Sequence, residues 1–157
     1  MSQRTLIAYQ TSRTGVTREN ANIIAGVLRE EFDHQIDVVD LKAERVPDLA
    51  PYENVVVGAG VKIGRPYRRP KKLLRDKRLV GKRVAIFISS GMAGEDPEGA
   101  TAKYERRVCT DWEAIRPVAC QAFGGRMPQP GAPDWRDPDR VREWAHRLGE
   151  ILKHPGT

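Results

Sequence analysis

The sequence predicts a doubly wound α/β sandwich, one parallel five-stranded sheet with helices on both faces. Three observations carry this. Five short runs rich in Val, Ile and Ala recur along the chain, and the stretches between several of them repeat apolar residues at helical spacing. The central runs are nearly continuous in apolar residues instead of alternating, the mark of parallel strands covered on both faces. The length of 157 residues suffices for one ordinary domain and is short for two.

"TLIAYQ" (5–10) reads as the first strand. From Thr17 to Phe32, Ala21, Ile24, Ala25, Leu28 and Phe32 form the apolar stripe of an amphipathic helix. "QIDVVDL" (35–41) reads as the second strand, "NVVVGAGV" (54–61) as the third and "RVAIFISS" (83–90) as the fourth. Between the last two, "RPKKLLRDKRLVG" (69–81) predicts one modest helix, irregular at its start and closed by Gly81. "PEGATAKYERRVCTDWEAI" (97–115) predicts a single helix that opens on proline, with Ala102, Tyr104, Val108, Trp112 and Ile115 facing inward. "PVACQAF" (117–123) is the fifth strand, "GGRMPQPGAP" a turn-rich loop and "PDRVREWAHRLGEIL" (138–152) the last helix. Right-handed crossovers then give a sheet wound in both directions. No repeat, low-complexity tract or linker divides the chain.

Composition narrows the function classes. Apolar residues at 39% and charged residues at 31% suit a folded domain in water and argue against disorder. No run is long enough to cross a bilayer and no signal-peptide pattern is visible, so membrane insertion is not expected and a cytoplasmic location is. Cys109 and Cys120 are too few for a disulfide framework and have no metal-ligand spacing, which makes them buried thiols. The formal net charge of +6 favours anionic partners without choosing among them.

The junction after the first strand holds the most chemistry. Thr11-Ser12-Arg13-Thr14-Gly15-Val16-Thr17 places four hydroxyls and one glycine directly before a helix. In an open α/β sheet, ligands bind beyond the carboxyl ends of the strands, and a helix N-terminus there offers free N–H groups and a positive dipole end to an anion. Both G-x-x-x-x-G-K-[ST] and G-x-G-x-x-G are missing from the chain. The residues alone fit either a phosphate cradle or a plain helix cap, since Thr and Ser are ordinary N-caps.

Ser12 to Thr17 resembles the S/T-x-T-G-x-T loop with which flavodoxins hold the monophosphate of FMN, and the order of elements along nearly the whole chain is also that of a short flavodoxin. The resemblance implies a flavodoxin-like sandwich of strand order 2-1-3-4-5, noncovalent FMN, and two further loops around the flavin ring. After the third strand, Gly58, Ala59, Gly60, Val61, Lys62, Ile63 and Gly64 are similar to the flavodoxin-like protoporphyrinogen oxidases rather than to carrier flavodoxins, which place a tryptophan there. Tyr67 stands near as a substitute aromatic. Lys62 either stabilises a reduced flavin by its charge or is a solvated loop lysine. After the fourth strand, Ser89, Ser90, Gly91 and Met92 replace a tyrosine-bearing loop and leave the ring open to a planar substrate.

"YERRVCTDWEAIRPVACQAFGGRM" also resembles the oxidase group, but "GGRMPQPGAPDW" is brief where quinone-linked bacterial members carry a long basic and hydrophobic insertion. That departure weighs against carrying over their membrane association. The reading expected is therefore an FMN oxidoreductase similar to protoporphyrinogen oxidase, with a planar small molecule or an acidic redox partner; an electron carrier and a flavin-free basic binding module are the alternatives.

Two signals compete. Cys120 to Arg126 matches the bare C-x5-R of tyrosine phosphatases, yet Met127-Pro128-Gln129-Pro130 follows where that chemistry needs a helix. The cluster Lys62, Arg65, Arg68, Arg69, Lys71, Lys72, Arg75, Lys77 and Arg78 is relieved only by Asp76 and lacks the interleaved aromatics of a nucleic-acid surface. No nucleic acid is expected as partner, and His34, His146 and His154 carry no assigned role.

Overall fold

The computed structural model describes residues 2–91 and 93–154. Strands β1 (Arg4–Gln10), β2 (Gln35–Asp40), β3 (Asn54–Lys62), β5 (Arg83–Ser90) and β6 (Ala119–Gly124) form a parallel sheet in the order β2-β1-β3-β5-β6. This is the expected five-strand winding. β4 (Arg65–Pro66) is an added two-residue strand that turns back antiparallel on the end of β3.

Alternation within the central strands builds the three layers. Leu6 and Ala8, Val55, Val57 and Ala59, and Ile86 and Ile88 point to one face. There they meet α2 (Arg68–Leu73), α3 (Pro97–Val108) and α4 (Trp112–Ile115) through Leu73, Tyr104, Val108 and Ile115. Ile7, Tyr9, Val56 and Phe87 point to the other face and pack on α1 (Val16–Phe32) and α5 (Pro138–Lys153) through Ile24, Leu28, Trp144 and Leu148. Gly58 faces the ring of Phe87 so closely that any side chain would overlap it.

Two expectations are corrected, both of helices, and two features of the fold are additional to what the sequence predicts. The crossover from β2 to β3 contains no helix: residues 41–53 carry Pro47 and Pro51, and fill the helix's place by burying Leu41, Leu49 and Tyr52. The helix expected over 69–81 is irregular at its end, not its start; α2 stops at Leu73, and Asp76 caps a short 3-10 turn (Lys77–Leu79) by accepting from the Arg78 N–H at 2.9 Å. The helix expected over 97–115 is two, because Cys109, Thr110 and Asp111 are poor helix formers and Asp111 starts α4 afresh. β4 escapes a sequence reading because its turn, Ile63-Gly64, is not the usual Asn-Gly, and because Pro66 is tolerated only at an edge.

A polar cluster holds the amino ends of the strands. Asn54 donates to the Thr5 hydroxyl at 3.0 Å and to Gln3 at 2.8 Å, and the Thr5 hydroxyl pairs with His34 Nδ1 at 2.8 Å. The His34 ring is buried within this cluster. Burial pushes its pKa below the ordinary value, and the nearby carboxylates of Glu53 and Asp33 oppose that shift only in part. A depressed folded-state pKa means that the unfolded chain binds the proton more readily, so this contribution to stability is complete above about pH 6.5 and is lost as the pH falls. Urea midpoints measured from about pH 7.5 to 5.5 are expected to decline in the native protein and to decline less in His34→Gln. An equal decline in both would place the titrating group elsewhere.

Candidate functional site

The chain leaves β1 at Gln10 and turns at once: the Gly15 N–H donates to the Ser12 carbonyl at 3.1 Å, and Gly15 takes φ 74°, a left-handed conformation that costs glycine little. Gly15 is the N-cap of α1, a helix of 17 residues whose first N–H groups open onto the end of the sheet. The Ser12 and Thr14 hydroxyls pair with each other at 3.0 Å. Thr17 is fully buried and its hydroxyl has no partner; the Thr11 hydroxyl is also buried and unpaired. A buried hydroxyl left unsatisfied costs on the order of 1–3 kcal/mol, and two in one loop mark a place shaped for hydrogen bonds it does not itself supply.

Facing this loop are the carboxyl ends of β3 and β5. Gly60 allows the close approach, since a Cβ there would lie 3.0 Å from the Tyr67 ring and 3.2 Å from the Ser12 nitrogen. The β3–β4 turn carries Ile63 at φ 50° and Gly64 at φ 72°; Ile63 is 92% exposed, a strained position for a β-branched residue. At the end of β5 the Ser89 hydroxyl accepts from Asn20 Nδ2 at 2.9 Å, fastening α1 to the sheet. Together these walls enclose a cleft of about 490 Å³, within the range of cofactor pockets.

A fourth wall comes from the loop after β6. The Trp135 side chain fits against Gly94 and Gly124, neither of which has room for a Cβ, and the Trp135 N–H donates to the Gly125 carbonyl at 2.9 Å. Arg136 pairs with Asp134 at 2.6 Å and reaches Glu19 of α1 at 3.4 Å, and it holds the Asp134 carboxyl down at about 2. So tethered, residues 125–129 fold back over the cleft.

A strand-order reversal beside β1, hydroxyls at a helix N-terminus and a cleft between the β1, β3 and β5 loops agree with the family comparison: the model of the flavodoxin domain family matches residues 6–132. The chain belongs to the flavodoxin domain family. It is 27% identical over 133 residues to protoporphyrinogen IX dehydrogenase (quinone) of Escherichia coli K12, covering 81% of this chain and 71% of that one. Among solved structures it is similar to oxidised Flavodoxin 2 from Bacillus cereus (TM-score 0.62, 21% identity, 96% of this chain and 99% of that). It also resembles the rubredoxin oxygen:oxidoreductase of Desulfovibrio gigas (TM-score 0.69, 17% identity), of which it spans 36% while 96% of this chain is covered.

In this flavodoxin domain, Ser12, Arg13, Thr14, Val16, Val61, Lys62, Ile63, Ser89, Ser90 and Gly91 line the cleft, ten of the positions expected from sequence. Thr11, Gly15, Thr17 and Gly60 stand behind the lining, as buried hydroxyls or as the glycines that let it form. Met92 lies outside the described residues. Tyr67 is at the cleft, in keeping with its position after the third strand. Lys103 and Tyr104 of α3 and Gly125 to Gln129 also line it, and the sequence reading does not place them there. For the latter a signal exists in Gly124-Gly125 and in Trp135, a large residue in an otherwise polar loop.

The competing phosphatase motif dissolves in three dimensions. Cys120 is the second residue of β6, near the amino end of that strand, whereas Arg126 is at the cleft beyond its carboxyl end. Burial pushes the Cys120 thiol up to about 12, the opposite of an activated nucleophile. Cys109 is buried as expected, and Cys120 is only partly so. Among the described residues no group of His, Cys, Asp or Glu is placed to hold a metal ion, and no helix is long and apolar enough to cross a membrane.

Removing the Thr17 hydroxyl while keeping its shape removes an unsatisfied group. Thr17→Val is expected to leave the flavin-free domain as stable as the native one or more so by up to about 1 kcal/mol, measured by urea unfolding. A loss of stability instead means that the hydroxyl has a structural partner.

Proposed function

We propose that this flavodoxin-like flavoprotein holds FMN noncovalently and oxidises a planar, carboxylate-bearing small molecule by two electrons. The observation that carries the cofactor is the loop Ser12-Arg13-Thr14, which presents two hydroxyls and a charge to the cleft at the N-terminus of α1, with the buried, unpartnered hydroxyls of Thr11 and Thr17 behind it. The phosphate would take its hydrogen bonds from the Ser12 and Thr14 hydroxyls and from the free backbone N–H groups at the start of α1, with Arg13 as a nearby charge. The flavin ring would lie between Gly60 to Ile63 and Ser89 to Gly91, beside Tyr67. Bound FMN supplies the acceptance of a hydride or of two single electrons.

The chain's own work is placement and charge. Arg13, Lys62, Lys103 and Arg126 line the cleft; among the described residues no carboxylate does, and none of the four cations is in an ion pair. Such a rim favours a substrate with acidic side arms and stabilises negative charge developing at the ring. Among the described lining residues neither a histidine nor a carboxylate is placed to take a proton, so proton exchange would fall to the solvent. The kinship with protoporphyrinogen IX dehydrogenase makes a porphyrinogen the first donor to assay. The electron-carrier reading draws on Ile63, an exposed apolar residue at the cleft's rim suited to contact a protein.

Double replacement Thr14→Ala/Thr17→Ala is expected to weaken FMN binding at least tenfold, about 1.4 kcal/mol, and riboflavin binding little, by fluorescence titration. Equal losses would show that the loop does not hold a phosphate. Stepwise photoreduction of the FMN-loaded protein separates the two activities: a single two-electron change supports the oxidase, and two resolved one-electron changes support the carrier. Absence of any flavin binding defeats both.

A further inference from the structure

Beside the cleft lies a second concavity of about 720 Å³, between the loop after β2 and helix α2 with its following turn. Its charged lining includes Lys42, Arg45, Arg69, Lys72, Arg75 and Arg78. Arg78 is neutralised by Asp76 at 2.7 Å, but among the described residues the other five have no carboxylate within ion-pair distance. The basic surface continues over Arg68 and Lys71. Gathering unpaired like charges on one face is unfavourable for the isolated fold and is relieved by an anionic partner.

We propose that this groove docks an acidic protein that exchanges electrons with the cleft; the redox character of the partner rests on the flavoprotein reading above. Three features favour a protein over a nucleic acid. The lining also contains Leu41, Ala43, Val46 and Leu73, the apolar component of a protein interface. Glu44 stands among the cations, where it would repel a phosphate but can meet a basic residue of a folded partner. Among the described residues no aromatic side chain lines the groove to stack on a base. Position gives the docking its purpose: Tyr67 lines the cleft, and α2 begins at the next residue, so a partner on α2 is seated against the wall of the cleft.

The test compares two triple charge reversals. Arg69→Glu/Lys72→Glu/Arg75→Glu alters the groove, and Arg29→Glu/Arg116→Glu/Arg147→Glu alters other surfaces; each lowers the formal net charge of +6 by the same six units. A small acidic ferredoxin serves as the protein probe and oligothymidylate as the nucleic-acid probe, titrated calorimetrically at low salt and at about 0.15 M. The native protein is expected to bind ferredoxin in a salt-sensitive way, more tightly than oligothymidylate. The groove triple should bind it at least tenfold more weakly and the control triple less than threefold. Equal loss in both triples, no binding by the native protein at low salt, or tighter binding of oligothymidylate that the groove triple abolishes would each overturn the proposal. Amide shifts of 41–46 and 68–78 in the native protein on ferredoxin addition are the corresponding expectation without mutation, and shifts confined to other surfaces would overturn it. Titrations run with and without FMN keep the two readings apart, because a protein that binds no flavin still reports whether the groove docks its partner.

Discussion

Burial of β1, β3 and β5 on both faces is the constraint from which the rest of this molecule follows. Their side chains alternate between two apolar layers, so the strands have no surface to give to chemistry. Everything reactive is displaced to the ends. At the amino ends the buried polar groups are Thr5, His34 and Asn54, linked mainly to one another. At the carboxyl ends the loops after β1, β3 and β5 converge, and there the buried hydroxyls of Thr11 and Thr17 are left unpaired. The amino end leaves one buried acceptor, Asn54 Oδ1, without a partner, while the carboxyl end leaves Gln10 Oε1 and both hydroxyls.

That asymmetry extends to charge. Some ion pairs fasten elements: Arg136 ties the loop after β6 to α1, and Arg18 of α1 reaches Asp40 of β2 while donating to the Tyr9 hydroxyl. The cations around the cleft and along α2 lack such partners among the described residues. Exposed pairs contribute little to stability, so forgoing them there costs little, while the field they leave over the cleft is large on the scale of ligand recognition.

The strands and long helices are legible in the sequence because their signal is periodic and local: the apolar stripe of α1 and the valine run of β3 name their own burial. The cleft's first three walls are legible because they must follow β1, β3 and the strand next to it. What escapes depends on contacts between residues distant in sequence. Nothing local in 125–129 says that it folds back over the cleft; that follows from Trp135 finding the space left by Gly94 and Gly124. The break in the 97–115 helix is masked in the sequence because Val108, Trp112 and Ile115 keep helical spacing across Cys109-Thr110-Asp111, and all three pack on the same layer. Ser89 lines the cleft as its place at the carboxyl end of β5 implies, but its hydroxyl is engaged by Asn20, 69 residues away, which no local pattern announces.

The strained turn at Ile63 connects these themes. A β-branched residue held at positive φ and exposed to water is disfavoured twice, by backbone sterics and by solvation. The surroundings hold it there: the Tyr67 N–H donates to the Gly60 carbonyl at 3.1 Å, and Arg107 of α3 reaches the Gly64 carbonyl at 3.4 Å. Strain over-determined in this way is characteristic of sites whose geometry serves a ligand more than the fold. The turn sits where the cleft meets the basic ridge that begins at Lys62, so whatever enters the cleft and whatever docks on α2 share it as a boundary.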